Sequence, residues 1–172
     1  ASSTFDPQTS QNNLGIFVQD QWQLLDNWYA GVGVRFDDHS VAGRAETYRA
    51  NSVYTVVATN TDFHGSIGTG FRAPALAERP FNPASPSLLP ERSKGWDVGA
   101  TQRFFNNRAS FDATYFRNDF EELIVFDFNT FDLANVGRAR ASGIELTVEG
   151  LVTDDTRLYA NYTLTDTKDF DT

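Results

Sequence analysis

The chain has 172 residues, a formal net charge of −9 at pH 7, 15 Phe and no Cys. The acidic balance excludes the basic surface that nucleic-acid binding needs, and the absence of Cys excludes a disulfide framework and a thiolate metal site. No run approaches the ~18 apolar residues of a membrane helix. Aromatic residues make up 14% of the chain, yet its mean hydropathy is −0.41. A transmembrane β-barrel reconciles the two, because only alternate residues face lipid while lumen and loops stay polar.

The dominant period is two, the signature of strands with unlike faces. The first strand runs from Leu14 to Leu24, with Leu14, Ile16, Val18, Trp22 and Leu24 opposite Gly15, Phe17, Gln19, Gln21 and Gln23. After a turn at Asp26-Asn27, the second sets Trp28, Ala30, Val32, Val34 and Phe36 opposite Tyr29, Gly31, Gly33 and Arg35. The polar stretch Asp37 to Glu46 reads as a loop, and a third strand from about Tyr48 to Ala58 has ambiguous faces. A turn at Asn60 to Asp62 leads to a fourth, in which Phe63, Ile67 and Phe71 oppose His64, Ser66, Gly68, Gly70 and Arg72. The longest loop, Ala73 to about Glu91, holds five of the six prolines.

The fifth strand places Trp96, Val98, Ala100 and Phe104 opposite Asp97, Gly99, Thr101 and Arg103. The sixth starts at Ala109 and continues through Leu123 to Phe126, with a loop expected at 127–135. The seventh has Ile144, Leu146 and Val148 opposite Glu145, Thr147 and Glu149, and the eighth has Leu158, Ala160, Tyr162 and Leu164 opposite Tyr159, Asn161, Thr163 and Thr165. Short and longer connections alternate, as the two rims of an outer-membrane barrel require. The fold class expected is therefore all-β, an antiparallel up-and-down transmembrane barrel: about eight strands of a larger barrel, or a small closed one. A soluble β-sandwich or lipocalin-like barrel shows the same alternation with its apolar face inside. Gly-rich polar faces, poor filling for a dry core, and aromatic residues beside the short turns favour the membrane form.

Several segments carry a resemblance. Gly68 to Pro74 reads GTGFRAP and Leu88 to Ser93 reads LLPERS, flanking the long loop. Gly15 to Trp22 reads GIFVQDQW, Gly33 to Asp38 reads GVRFDD, Tyr115 to Ile124 reads YFRNDFEELI, Asn135 to Glu145 reads NVGRARASGIE, and Tyr162 to Asp166 reads YTLTD. In this order and spacing they resemble the barrel of TonB-dependent outer-membrane receptors, and the wording around His39 and Tyr115 is similar to that of the vitamin B12 branch. The resemblance implies a barrel of roughly 22 strands with a plugged lumen, of which residues 1–172 are a middle-to-late segment. The plug domain, the TonB box and the closing C-terminal strands are then absent from this stretch. It also implies a place in the bacterial outer membrane, a nutrient ligand such as cobalamin or a ferric siderophore, and contact with outer-membrane lipid and lipopolysaccharide. Import would be driven by the TonB system through the plug. A stand-alone small barrel with a structural or engineered role is the alternative.

In such receptors the outer loops and upper lumen wall capture ligand. That points to Arg79, Phe81 and Asn82 at the tip of the long loop and Arg72 at its base. Arg suits carboxylate or phosphate, and Phe suits an apolar or macrocyclic face. Arg72 has a second reading, pairing with a lumen carboxylate to hold the wall. Arg138 and Arg140, together near an outer strand end, would contact lipopolysaccharide phosphates or pair across strands. His39 beside Asp37 and Asp38 lacks a fourth metal ligand, and the pairs Glu121-Glu122 and Asp154-Asp155 point apart along a strand. With no Ser/His/Asp order, phosphate loop or zinc spacing, neither enzyme activity nor a cofactor or metal is expected.

Overall fold

The computed structural model describes residues 10–75, 78 and 87–170. Eight strands follow one another: β1 (Asn13–Leu25), β2 (Trp28–His39), β3 (Gly43–Val56), β4 (Thr61–Arg72), β5 (Glu91–Phe104), β6 (Ala109–Asp127), β7 (Asp132–Leu151) and β8 (Arg157–Asp169). Each pairs antiparallel with the next, giving a single sheet in sequence order. Among the described residues β1 pairs only with β2 and β8 only with β7, so the sheet they form is open. Closure of these eight strands on themselves does not occur.

The ladder sorts every strand into two faces. Register carries Ile16 to Phe36, Trp28 to Tyr54, Phe63 to Ala100, Val98 to Tyr115, and Ile144 to both Tyr115 and Leu164. These side chains share one face, because neighbours across a ladder point the same way and alternate residues point apart. The other face carries Gly31, Arg49, His64, Asp97, Asp112 and Glu145 with their polar or small partners. β3, whose faces alternation leaves ambiguous, is resolved by its partners: Tyr48, Ala50, Ser52 and Tyr54 join the apolar face.

That apolar face is not a core. Among the described residues the only buried hydrophobic one is Ala45, at 8% exposure, while Val34, Phe63, Val98, Ile144 and Leu164 all stay exposed. A soluble sandwich hides such a face under a second layer; here nothing covers it, and only lipid suits it. We therefore call this face outward and the polar one inward.

The upper edge of the outward apolar band runs obliquely across the sheet. Its last apolar residues are Phe36 in β2, Tyr48 in β3, Trp96 in β5, Tyr115 in β6, Ile144 in β7 and Leu164 in β8, followed by Asp38, Glu46, Lys94, Arg117, Ser142 and Asp166. Phe36 pairs with Glu46, Thr69 with Lys94, and Trp96 with Arg117, so the edge steps down the ladder from β2 to β6, with Phe71 of β4 standing above it opposite Arg92. Strands tilted against the membrane normal produce this offset. Trp96 and Tyr115 pack with ring centroids 5.5 Å apart at that edge, and Trp28 meets Tyr54 edge-on at 6.4 Å near the opposite rim. Trp28 Nε1 donates to Ser52 Oγ at 2.8 Å, which satisfies the indole at an interface. From Trp28 to Phe36 is roughly 26 Å of strand, close to the ~25 Å apolar band of outer-membrane barrels.

Two loop boundaries differ from expectation. β2 and β3 stay paired to His39 and Gly43, so residues 37–47 are a hairpin with a turn at 40–42 rather than a loop. β6 and β7 remain paired to Asp127 and Asp132, which shortens the loop expected at 127–135 to 128–131. β5 begins at Glu91, where the long loop was expected to end. The cause is common to the two that differ: above the membrane both faces of a strand are wet, and polar sequence no longer marks a loop. The connection between β4 and β5 is the long one.

Candidate functional site

Three polar clusters stand out, two inward and one outward. The first lies where β4 leaves the sheet. The Arg72 guanidinium donates through Nε and Nη2 to the Glu91 carboxylate, the latter bond at 2.7 Å, and through Nη1 to Glu78 Oε2 at 2.8 Å. Arg72 and Glu91 are the last pair of the β4–β5 ladder, so the ion pair closes the base of the long loop like a staple. Glu78 also accepts from the Ala75 amide at 2.9 Å. The Arg72 hydrogen bond first, then that amide, hold the Glu78 carboxyl below its ordinary range.

The same base is tied to the β6–β7 hairpin. Glu91 Oε1 accepts from the Ile124 amide at 2.9 Å. The Asn135 side chain accepts from Leu89 N at 2.8 Å, donates to Leu89 O at 3.0 Å, and reaches Glu122 O at 2.6 Å. Glu122 sits in left-handed backbone conformation (φ 58°), which side chains other than Gly adopt at a cost. At the mouth, Gln11 Nε2 also donates to Pro74 O at 3.2 Å.

The second cluster lines the inward face near the rim of short turns. Asp112 accepts from Thr101 Oγ1 at 2.7 Å and Thr114 Oγ1 at 2.8 Å, and meets His64 Nε2 at 2.9 Å. Asp62 is paired with Arg103 and accepts from Thr55 Oγ1 at 2.7 Å. A side chain at Gly99 would collide with His64 and Thr114, so the glycine there makes room for the network. His39, by contrast, caps its own turn: its Nδ1 accepts from Val41 N at 3.2 Å and Ala42 N at 3.1 Å. Its neighbour Asp37 is paired with Arg35 at 2.7 Å. Among the described residues no group of three metal-ligating side chains converges.

The third cluster lies outward, above the apolar band. Arg140 Nε pairs with Asp119 at 2.6 Å across the β6–β7 ladder, and Arg117 joins the same carboxylate group at 2.9 Å. Arg140 also stacks over the Phe170 ring at 5.0 Å. Arg138 is on the same face of β7, opposite Glu121. The structure thus brings Arg138 and Arg140 together and spends Arg140 on a cross-strand pair.

Of the residues the sequence singles out for ligand, Arg72 is engaged as described, while Arg79, Phe81 and Asn82 lie outside the described residues. Sequence reasoning missed Glu78, Glu91 and Asn135. The Glu91 signal was available in the register: a strand ending in Arg72 and the next starting with Glu91 leave opposite charges on the same rung. Asn135 carried none, because its partners are backbone atoms of Leu89 and Glu122, which no residue type announces.

The comparison with known proteins decides the family. The family model for the TonB dependent receptor-like β-barrel matches residues 1–172. The chain belongs to the TonB-dependent receptor β-barrel family. Solved structures agree on the fold. The siderophore receptor PirA from Pseudomonas aeruginosa superposes with a TM-score of 0.79 at 23% identity, covering 91% of this chain and 32% of that one. The copper transporter OprC gives 0.77 at 16% identity, with coverages of 94% and 30%. The RagAB peptide transporter gives 0.72 at 16% identity, with coverages of 92% and 22%. The chain spans about a third or less of the length of these structures. As a TonB-dependent receptor barrel segment it resides in the outer membrane, in a family of receptors and transporters rather than enzymes. These neighbours are a siderophore receptor, a copper transporter and a peptide transporter, and what they share with this chain is the fold.

Proposed function

We propose that this chain forms part of the wall and outer mouth of an importer for a scarce nutrient, a ferric siderophore or a cobalamin. The inner-membrane TonB system would drive it through a plug domain seated against the inward face. One observation carries the reading: family membership over residues 1–172 on a sheet whose outward face is apolar and whose inward face is polar and Gly-rich. Siderophore receptors among the structural neighbours support a chelated-iron cargo. The wording around His39 and Tyr115 supports cobalamin.

Ligand contact falls to the long loop, with Arg79 and Asn82 for polar groups and Phe81 for an apolar or macrocyclic face. Arg72 serves at its base. Two carboxylates already neutralise its charge, so it holds the loop in place for the tip residues. The test is growth of cells whose nutrient supply depends on the complete receptor, on a panel of ferric siderophores and cobalamins. Retention of one labelled member by the purified receptor is expected, weakened at least tenfold by Arg79→Ala with Phe81→Ala. A receptor that retains and imports none of the panel sinks the reading.

A further inference from the structure

One row of the ladder crosses β4 to β7 where the wall gives way to the mouth. Arg72, the last residue of β4, is opposite Glu91, the first of β5. One step beyond the Arg92–Glu121 rung, the register sets Glu91 opposite Glu122. Between the Glu121–Arg138 and Leu123–Val136 rungs it sets Glu122 opposite Gly137. The row is weak in β6. Glu122 alone of that strand has no rung to β7, and its backbone is left-handed (φ 58°). The glycine opposite it adds backbone freedom. In this part of the sheet, only the long connection and the β6–β7 extension stand above the row.

Those two parts are joined by side chains instead of a ladder. Carried three steps past the Arg92–Glu121 rung, the register would put Leu89 on Ile124. Residues 87–90 form no strand, however, and Pro90 has no N–H to give. The Asn135 amide, reaching across from β7, takes the place of the missing strand. It accepts from Leu89 N at 2.8 Å and donates to Leu89 O at 3.0 Å, as a peptide group would. Its other hydrogen goes to Glu122 O at 2.6 Å. The Ile124 amide donates back to Glu91 Oε1 at 2.9 Å, on the carboxylate that also holds Arg72. Asn135 therefore ties the connection to the extension, and Glu91 ties the extension to the wall.

We propose that residues 87–90 and the β6–β7 extension swing as one flap about the row from Arg72 to Gly137. Asn135 is the latch that joins the two parts, and the Glu91 carboxylate is the catch that holds the flap in place. The extension is stiff in itself, because five consecutive rungs run from Leu123–Val136 to Asp127–Asp132. Below the row, consecutive rungs on both sides of β6 hold the wall together. At the row those rungs are replaced by side-chain bonds, each of which can open without unzipping a strand. A left-handed residue facing a glycine is where two paired strands absorb such a bend. Asn135 and Glu91 both belong to the inward face, so residues 87–90 lie against the luminal side of the flap. Whatever enters the mouth then meets one moving part there rather than two. The proposal rests on the receptor reading only for which end of the sheet is the mouth.

The experiment uses the complete receptor in detergent, spin-labelled in pairs through Ser87→Cys, Asn129→Cys and, in the wall below the row, Ser142→Cys. This stretch brings no Cys of its own. Double electron–electron resonance reads the width of each distance distribution. With Asn135 and Glu91 intact, the Ser87–Asn129 distribution is expected to be narrow. Asn135→Ala should about double its width, because the latch is gone and the two parts move separately. Glu91→Ala should leave that width unchanged and about double the Asn129–Ser142 width instead, because the catch is gone and the flap swings whole. Asn135→Asp keeps the acceptor for Leu89 N but loses both donors, so its Ser87–Asn129 width should fall between. Heat-modifiable gel migration checks that each variant barrel is folded. A Ser87–Asn129 distribution already broad with Asn135 intact, or one that Asn135→Ala leaves unchanged, overturns the proposal. So does an identical response of both widths to Asn135→Ala and Glu91→Ala, which would mean that latch and catch are not separate. A receptor whose flap behaves as described but which imports no nutrient defeats the import reading and leaves this one standing.

Discussion

The lower and upper parts of the strands obey different rules. Between Trp28 and Phe36 in β2, or Trp96 and Ala100 in β5, every second side chain is apolar and faces outward, and its neighbours are polar or small and face inward. Above that band, in the hairpin through His39 and Gly43 and in the β6–β7 extension to Asp127 and Asp132, the backbone ladder continues in register, missing only the Glu122 rung, while the alternation disappears. Ladder hydrogen bonds do not depend on what the side chains meet. Alternation does, since it records a difference between the two solvents. The lower half is written by that difference and the upper half by ion pairs, caps and side chain–backbone bonds.

The largest expected effect breaks the lower half. Val98 is outward, 55% exposed, and paired between Gly65 and Tyr115. Val98→Arg should destabilise the folded barrel by about 1–2 kcal/mol in lipid vesicles, the cost of a cation inside the apolar band but nearer its upper edge than its middle. The inward Thr147→Arg should cost less than about 1 kcal/mol, because that side chain meets water. Reversible urea unfolding followed by Trp fluorescence measures both. Equal costs for the two substitutions would reverse the assignment of faces.

This asymmetry also sets what could be read without coordinates. The outward side chains of β1, β2, β4, β5, β7 and β8 are legible from period two alone, because each alternates Val, Ile, Leu or an aromatic residue with Gly or polar partners. β3 is not: Tyr48, Ala50, Ser52 and Tyr54 contrast too little with Arg49, Asn51 and Val53, and only pairing with β2 assigns them. The hairpin ends are illegible for the reason given above. At the mouth, Arg72 is visible as a charge at a strand end. Its joint hold on Glu78 and Glu91 depends on how the long connection returns, and the Asn135 clamp depends on backbone atoms that no residue type announces. The outward cations were visible only as Arg138 and Arg140. That Arg140 is spent on Asp119 is a property of the register between β6 and β7.

A smaller effect tests the upper half. Arg72→Ala removes the staple from the loop base and leaves Glu78 and Glu91 facing each other without a cation. Their pairs are partly exposed, with Arg72 at 46%, so the expected loss is about 1 kcal/mol, local to the mouth. Hydrogen exchange should quicken at the Ala75 and Ile124 amides, whose acceptors are Glu78 and Glu91. Amides at the centres of β4 and β5 should keep their protection. Loss of protection through those centres would mean that mouth and wall are one cooperative unit rather than two regions.

The smallest effect is a titration of the same staple. Glu78 lies outside the strands, and its carboxyl is held below its ordinary range by Arg72 and the Ala75 amide. A carboxylate with a depressed folded-state pKa stabilises the folded loop above its unfolded value, about 4.3, and that contribution is lost as pH falls through the folded one. Ala75 exchange, corrected for its intrinsic pH dependence, should therefore show constant protection from neutral pH down to about 5 and falling protection below about 4. Glu78→Gln keeps an acceptor for the amide but has no charge to lose, so its profile should be flat across that window and lower throughout. A wild-type profile as flat as that of Glu78→Gln would mean that the ion pair contributes nothing to holding the loop. The long connection would then depend on the Asn135 clamp and on Glu91 alone.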